Sequence, residues 1–120
     1  MLPAALRELY TRVPFGVRLG TEAMAEACAR AGNPERAFAS VHIAGTNGKG
    51  SVSALTESAA RASGLRTGLY TSPHLARFAE RVRVSGEVLA DDPLAEALTE
   101  ALHLGPELTF FEVATLAAFL

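Results

Sequence analysis

The stretch SVHIAGTNGKGSVSALTESAARASG, Ser40 to Gly64, decides the fold. It starts with residues that favour β-structure, passes through a glycine-rich turn and ends in a segment with helical spacing. We predict a strand at 40–44 and a helix at 49–63, with Gly64 in the position that commonly ends a helix. One apolar stripe at helical spacing supports the helix, and its members are Val52, Leu55, Ala59 and Ala62.

The segment that follows predicts how the sheet is built. LRTGLYT at 65–71 has the composition of a second strand. Strand, glycine turn, helix and strand in this order predict a βαβ unit, which implies a parallel sheet. Further along, we expect a loop at 72–81 and a hairpin at 82–89 that turns at Ser85-Gly86.

Helices are predicted on both sides of this unit, at 4–11, 20–31, 91–103 and 109–120. The length of 120 residues allows one domain. The last helix ends on Ala-Ala-Phe-Leu without a cap, which is unusual for a natural domain, so we expect the chain to be part of a longer protein. The predicted fold is therefore a truncated α/β domain with a parallel sheet and flanking helices.

Composition excludes several classes of protein. The net charge is -2 and charges of both signs are mixed along the chain, which gives no basis for binding nucleic acid or an anionic membrane. No apolar run reaches the ~18 residues of a membrane span, and the N-terminus carries charges where a signal peptide is apolar. A single cysteine, Cys28, excludes an internal disulfide and is expected to be buried. We therefore expect a cytoplasmic protein.

The chain contains ten arginines and one lysine, Lys49, which lies between two glycines. Glycines let backbone N–H groups approach phosphate oxygens, and the following helix points its positive end at the same place. A lysine there reaches the β- and γ-phosphates, and a nearby hydroxyl can hold Mg²⁺. Since Gly50 separates Lys49 from Ser51, this is a variant of the common phosphate-binding loop. The alternative is an ordinary strand-to-helix turn with a surface lysine.

The segments HIAGTNGKGS and GLYTSPHLARFAERVRVSG, together with RLGTEAM and LTFFE, resemble the folylpolyglutamate synthase/dihydrofolate synthase family. These proteins are relatives of the Mur ligases, and the intervening Gly50 favours the folate branch. The resemblance implies a Mur-ligase-like ATP-binding domain, of which residues 1–120 are the N-terminal part. It also implies that the rest of this domain and a C-terminal glutamate-ligase domain lie beyond Leu120.

The resemblance further implies a reaction and its participants. The family joins L-glutamate to dihydropteroate or tetrahydrofolate through an acyl phosphate, with ATP and Mg²⁺ as cofactors. The resemblance also implies that the full-length protein is a monomer and that the 120-residue chain alone is inactive. Several residues that complete the family's metal sites are expected beyond Leu120.

Site residues follow from matching the family's motifs. The loop for the ATP phosphates comprises Gly45, Thr46, Asn47, Gly48, Lys49, Gly50 and Ser51, with Lys49 as the catalytic residue. Ser72 and Ser51 are the predicted magnesium ligands. The pteroate or folate site comprises Arg18, Leu19, Thr109, Phe110, Phe111 and Glu112.

Other interpretations of these residues stay open at this point. Glu112 follows Thr109 by three residues, as in a capping box, and the two phenylalanines between them would suit a core. Ser72 before Pro73 suits a turn, a lone His74 suits an exposed loop, and His42 suits packing on a strand. A solvated face would account for Arg77, Arg81 and Arg83. Two rival functions remain, a Mur-type amino-acid ligase and a nucleotide-binding module without ligase activity.

Overall fold

The computed structural model describes residues 2–12, 21–72 and 76–120. Within these ranges the elements are, in chain order, α1 (Leu2–Thr11), α2 (Glu22–Arg30), α3 (Lys49–Ala62), β1 (Gly68–Tyr70), β2 (Val82–Val84), β3 (Glu87–Val88), α4 (Asp91–Leu104) and α5 (Phe110–Phe119). Short 3₁₀ helices lie at Pro34–Arg36 and Phe78–Arg81. The predicted helices are confirmed, with small shifts at their ends. No described helix combines the length and the apolar character needed to cross a membrane.

The chain divides into two compact units, which are described separately. The helical unit comprises Met1–Ala39 and Asp91–Leu120, and the sheet unit comprises Ser40–Ala90. In the helical unit, α4 packs against α1 and α5, and α2 packs against α5. Helical spacing places apolar side chains on the inner faces, so the largest fully buried side chains are Leu9, Leu94, Leu98, Val113 and Leu116.

Cys28 is buried on α2, as the sequence predicts. Burial raises the pKa of its thiol, and the nearby Glu35 carboxylate raises the pKa further by its charge and by a hydrogen bond. The thiol is therefore held in its protonated, unreactive form.

In the sheet unit, α3 packs against β1, and three antiparallel strands follow the order β1-β2-β3. Gly68 pairs with Val84 and Tyr70 pairs with Val82. The predicted hairpin is confirmed, because Ser85 and Gly86 connect β2 to β3 with φ values of +53° and +84°. Two consecutive positive φ values are typical of the type I′ turn, whose twist matches that of the flanking strands.

The predicted parallel sheet is not confirmed, because the strands in the described residues pair antiparallel. Residues 40–44 do not form a strand, and β1 instead pairs antiparallel with β2. A strand needs a neighbour whose backbone groups lie in register, and the hairpin provides such a neighbour for β1 alone. Val41 is 74% exposed, and His42 is exposed as well, which corrects the expectation that this histidine packs.

The helix predicted from the same stretch forms as α3, but its apolar stripe is not covered. Val52 is 50% exposed and Leu55 is 71% exposed, and the two alanines of the stripe are exposed too. The helix contacts β1 on a different face, through Glu57 and its partners.

The segment predicted as a loop at 72–81 contains more structure than expected. Residues 73–75, including His74, lie outside the described residues, and the Phe78–Arg81 turn packs against β2 and β3. Arg81 is only 8% exposed, and its guanidinium carbon lies 5.3 Å from the centroid of the Phe78 ring. The solvated face predicted for three arginines is therefore wrong for Arg81, because the aromatic ring and the 3₁₀ turn enclose it.

Candidate functional site

The glycine loop contains two backbone conformations that favour glycine. Gly45 has φ +151° and Gly48 has φ +74°, a region that other L-residues rarely adopt. Gly48 is the N-cap of α3, and its carbonyl accepts the first helical hydrogen bond from the N–H of Val52 at 3.0 Å. These glycines therefore turn the chain directly into the helix.

The N-terminal end of α3 is open to an anion. No side chain caps it, its first turn contains no acidic residue, and residues 44–52 are exposed. By contrast, α2, α4 and α5 each carry an acidic residue in the first turn. Because the first N–H groups of a helix lack intrahelical partners and carry partial positive charge, this end attracts a negatively charged group.

Lys49 is the first residue of α3, and the beginning of its side chain lies beside the loop. A Cβ atom placed on Gly45 would lie 3.9 Å from Lys49 Cγ, so the stem of the lysine lies beside that glycine. The ammonium group is thus attached to the helix end at which the backbone N–H groups point outward. The arrangement supplies one flexible cation and several N–H donors on the same exposed turn.

The two predicted metal ligands lie on different elements of the sheet unit. Ser51 is in the first turn of α3, and Ser72 follows the end of β1; both are exposed. The helix α3 and the strand β1 pack against each other, and only residues 63–67 connect them. Because the connection is this short, the helix and the strand run in opposite directions. Five residues of extended chain from Thr67 to Ser72 cover about 16 Å, and six helical residues from Glu57 back to Ser51 cover about 9 Å. Topology therefore places Ser72 toward the same end of the unit as the glycine loop.

A hydrogen-bonded cluster that the sequence did not predict holds α3 against β1. Glu57 Oε1 accepts hydrogen bonds from Arg61 Nε at 2.9 Å and from Thr67 Oγ1 at 2.7 Å, and its side chain is 8% exposed. These bonds to Arg61 and Thr67 lower the pKa of Glu57, and the charge of Arg83 adds to the effect. The spacing of Glu57 and Arg61 by four was the available signal, because such pairs meet on one helix face.

The predicted substrate stretch forms the first turn of α5 in the helical unit. Thr109 is the N-cap, and its N–H donates to Glu112 Oε1 at 2.9 Å, while the N–H of Glu112 donates to Thr109 Oγ1 at 3.4 Å. The capping-box interpretation of Glu112 is therefore confirmed. The ring of Phe110 packs on that of Tyr10 with centroids 5.1 Å apart, whereas Phe111 is 55% exposed.

Two of three comparisons with known proteins place the chain in a family. A scan against protein-family models finds no match. Over 93% of its length, however, the chain is 37% identical to a dihydrofolate synthase/folylpolyglutamate synthase of Bacillus subtilis. The fold is similar to E. coli FolC in complex with DHPP and ADP, with TM-score 0.82 and 34% identity over 98% of this chain. It is also similar to a bifunctional folylpolyglutamate synthase/dihydrofolate synthase of Yersinia pestis complexed with AMPPNP and Mn ion, with TM-score 0.80 and 34% identity over 98% of this chain.

This chain belongs to the folylpolyglutamate synthase/dihydrofolate synthase family. It spans 28% of the Bacillus subtilis relative, 29% of the E. coli chain and 29% of the Yersinia pestis chain, so it corresponds to a small part of each. The resemblance that the motifs predicted is confirmed, and the fold belongs with the Mur-ligase-like proteins of this family.

Within this family member, the structure brings together some predicted site residues and not others. Residues 45–51 form one continuous turn on α3, and residues 109–112 form one turn on α5. Arg18 and Leu19 lie outside the described residues. In the part of the chain that the structure describes, no group of three histidine, cysteine, aspartate or glutamate side chains is placed to hold a metal ion.

Proposed function

We propose that the chain is the N-terminal part of the ATP-binding domain of an ATP-dependent amide ligase. The rest of this domain and the glutamate-ligase domain belong to the longer protein. The complete protein joins L-glutamate to dihydropteroate, tetrahydrofolate or both, through an acyl phosphate. We further propose that it works in the cytoplasm as a monomer, and that residues 1–120 alone do not turn over.

One observation carries this proposal: the similarity to the Bacillus subtilis dihydrofolate synthase/folylpolyglutamate synthase extends over 93% of the chain. The glycine loop adds independent support, because its positive φ angles, uncapped helix end and adjacent lysine suit a polyphosphate. E. coli FolC has been solved with ADP, and the Yersinia pestis protein with AMPPNP, which also supports nucleotide binding by the complete protein.

In the proposed complex, the loop from Gly45 to Ser51 binds the phosphates of ATP. The N–H groups of Thr46, Asn47 and Gly48 and of the first turn of α3 donate to phosphate oxygens. Lys49 neutralises charge on the γ-phosphate while the carboxylate of the pterin substrate attacks it. A lysine suits this place because a compact ammonium on a flexible stem adapts to phosphate oxygens more freely than a planar guanidinium does.

The residues present fit a magnesium ion that is bound mainly through the nucleotide. Ser51 and Ser72 offer neutral hydroxyl oxygens on exposed elements. Mg²⁺ takes oxygen ligands, keeps several waters and is commonly held by few protein groups together with substrate phosphates. When bound, the ion neutralises phosphate charge, and Ser51 and Ser72 would hold it.

The first turn of α5 is proposed to bind the pteroate or folate. Phe111 presents a half-exposed ring that can stack on a flat heterocycle, and Phe110 is fixed by its contact with Tyr10. Thr109 and Glu112 shape the turn through their mutual hydrogen bonds. Arg18 and Leu19 remain proposed contacts to the same substrate.

The test is ADP release by the full gene product that contains residues 1–120. Assays contain ATP, Mg²⁺ and glutamate, with dihydropteroate, with tetrahydrofolate or without either. We expect release to require a pterin and to fall at least about 100-fold in Lys49→Ala, since one charge-stabilising group contributes about that much. Release that ignores both pterins would contradict the proposal and would favour the Mur-type alternative, which joins an amino acid to a nucleotide-linked sugar acid.

A further inference from the structure

Two arginines, one just after α1 and one in the last turn of α2, contact the short connector between α4 and α5, residues 105–109. Arg12, just after α1, places Nη1 at 2.9 Å from the carbonyl oxygen of Gly105, 2.7 Å from that of Pro106 and 3.2 Å from that of Leu108. Its Nη2 lies 3.2 Å from the carbonyl oxygen of Leu102. One guanidinium therefore contacts four backbone carbonyls, one in the last turn of α4 and three in the connector that follows it.

The second arginine, Arg30 in the last turn of α2, contacts the same connector. Its Nε donates to the carbonyl oxygen of Leu104 at 2.8 Å, and its Nη2 pairs with Glu107 Oε1 at 2.5 Å. The last carbonyls of a helix lack intrahelical partners and carry partial negative charge, so both guanidinium groups suit this position. The helix end and the connector are thus held by side chains from outside α4 and α5.

The connector leads directly into the proposed pterin-binding turn. Leu108 is 2% exposed, and its N–H donates to the carbonyl oxygen of Gly105 at 3.1 Å, so the connector is tightly folded. The next residue, Thr109, begins the capping box that sets the direction of α5. Tyr10, two residues before Arg12, packs on Phe110. The C-terminal end of α1 and the residue after it therefore contact both neighbours of Thr109. Arg12 contacts the carbonyl of Leu108, and Tyr10 packs on Phe110.

We propose that Arg12 is a positioning residue for the pterin substrate, an inference that rests on the proposed function. Its guanidinium fixes the connector, and the connector fixes the orientation of Thr109 and of the exposed ring of Phe111. Arg30 and Tyr10 support the same turn. Arg12 itself does not contact the reacting atoms. A glutamine or lysine side chain cannot contact all four carbonyls at once. The five N–H donors of an arginine guanidinium are therefore needed to hold the connector in this conformation.

The experiment compares Arg12→Gln and Arg12→Lys with Arg36→Gln in the full gene product. Arg36 is the matched control, because its side chain is 79% exposed and its Nε lies 3.9 Å from Glu35 Oε2, outside the connector. We expect KM for the pterin to rise about tenfold or more in Arg12→Gln, since a loosened binding turn must be ordered when the substrate binds, which weakens binding. Arg12→Lys should give an intermediate value, and Arg36→Gln no change. KM for ATP should stay constant throughout, because the glycine loop belongs to the sheet unit.

Hydrogen exchange of the segment 105–113 provides a second measurement that does not depend on activity. Exchange should accelerate in Arg12→Gln and stay unchanged in Arg36→Gln. Unchanged pterin KM in Arg12→Gln, or a fall in kcat with both KM values constant, would overturn the inference. If the unmodified protein itself lacks pterin-dependent ADP release, the proposed function fails, whatever the Arg12 variants show.

Discussion

Gly105 shows at the scale of one residue how tightly the helical unit is packed. A Cβ atom at this position would lie 2.3 Å from Leu108 Cδ1 and 2.6 Å from its Cγ, and Leu108 is itself buried. The sequence alone did not indicate this constraint, because the glycine in GPEL is equally compatible with an open turn. The contact that requires a glycine comes from a residue three positions away in a folded connector.

We predict that Gly105→Ala lowers the free energy of unfolding by about 1–3 kcal/mol, the usual cost of forcing extra atoms into a packed site. Gly50→Ala is the matched control, since a Cβ there meets no atom within 4 Å and the residue is helical. Urea unfolding followed by circular dichroism measures both. Equal stability of the two variants would show that Leu108 moves aside without cost.

Cys28 permits a second prediction at the residue scale. Because burial and the neighbouring Glu35 carboxylate raise the pKa of its thiol, little thiolate forms at pH 7 to 8. We expect the folded protein to react with iodoacetamide far more slowly than the protein in urea, as measured by mass spectrometry. Reaction at the same rate in both conditions would contradict the buried environment.

At the scale of single elements, the sequence predicted the helices well and the sheet poorly. Helices depend on hydrogen bonds between near neighbours, so helical spacing in residues 91–104 and a capping box at Thr109 are sufficient signals. The hairpin at Ser85-Gly86 is local as well, and it was predicted correctly. Residues 40–44 have strand propensity, but a strand also needs a distant partner, which propensity does not provide.

The cap of α5 can be tested directly. Thr109→Ala removes the hydroxyl that accepts the N–H of Glu112, so we expect a loss of about 1 kcal/mol in unfolding free energy. Thr109→Ser retains the hydroxyl, so its free energy of unfolding should be close to that of the parent. Chemical denaturation measures all three proteins, and equal stability of Thr109→Ala and the parent would show that the cap contributes nothing.

The cluster that joins α3 to β1 has a defined dependence on pH. The pKa of Glu57 lies below its ordinary value of 4.5 in the folded protein, so its ionised form stabilises the fold above that pH. This contribution is lost as the pH falls through the lowered pKa. Glu57→Gln should therefore be less stable than the parent at pH 7, with the difference shrinking below about pH 4.5.

Thermal unfolding at pH 7 and pH 3 measures this difference, with Glu100→Gln on α4 as the control, because Glu100 is exposed. The control should unfold at the same temperature as the parent at both pH values. A difference between Glu57→Gln and the parent that stays constant down to pH 3 would show that the charge of Glu57 is not the cause.

At the scale of the whole molecule, the site could be predicted only in part. The glycine loop and the LTFFE stretch are recognisable because their residue types and spacing are local, and the family membership they indicated is confirmed. The contacts of Arg12 with residues 102–108 and of Glu57 with Thr67 were not predictable in the same way. They depend on how separate elements pack, and an arginine or glutamate on a helix surface carries no local sign of such a partner.

We propose that the protein containing this chain activates a folate carboxylate by transferring the γ-phosphate of ATP to it. The most direct measurement uses dihydropteroate or tetrahydrofolate labelled with ¹⁸O in the acceptor carboxylate, with ATP, Mg²⁺ and glutamate. We expect one ¹⁸O atom in the inorganic phosphate for each glutamate joined, and at least about 100-fold less labelled phosphate in Lys49→Ala. Glutamate joined to the pterin without ¹⁸O in the phosphate would contradict the account.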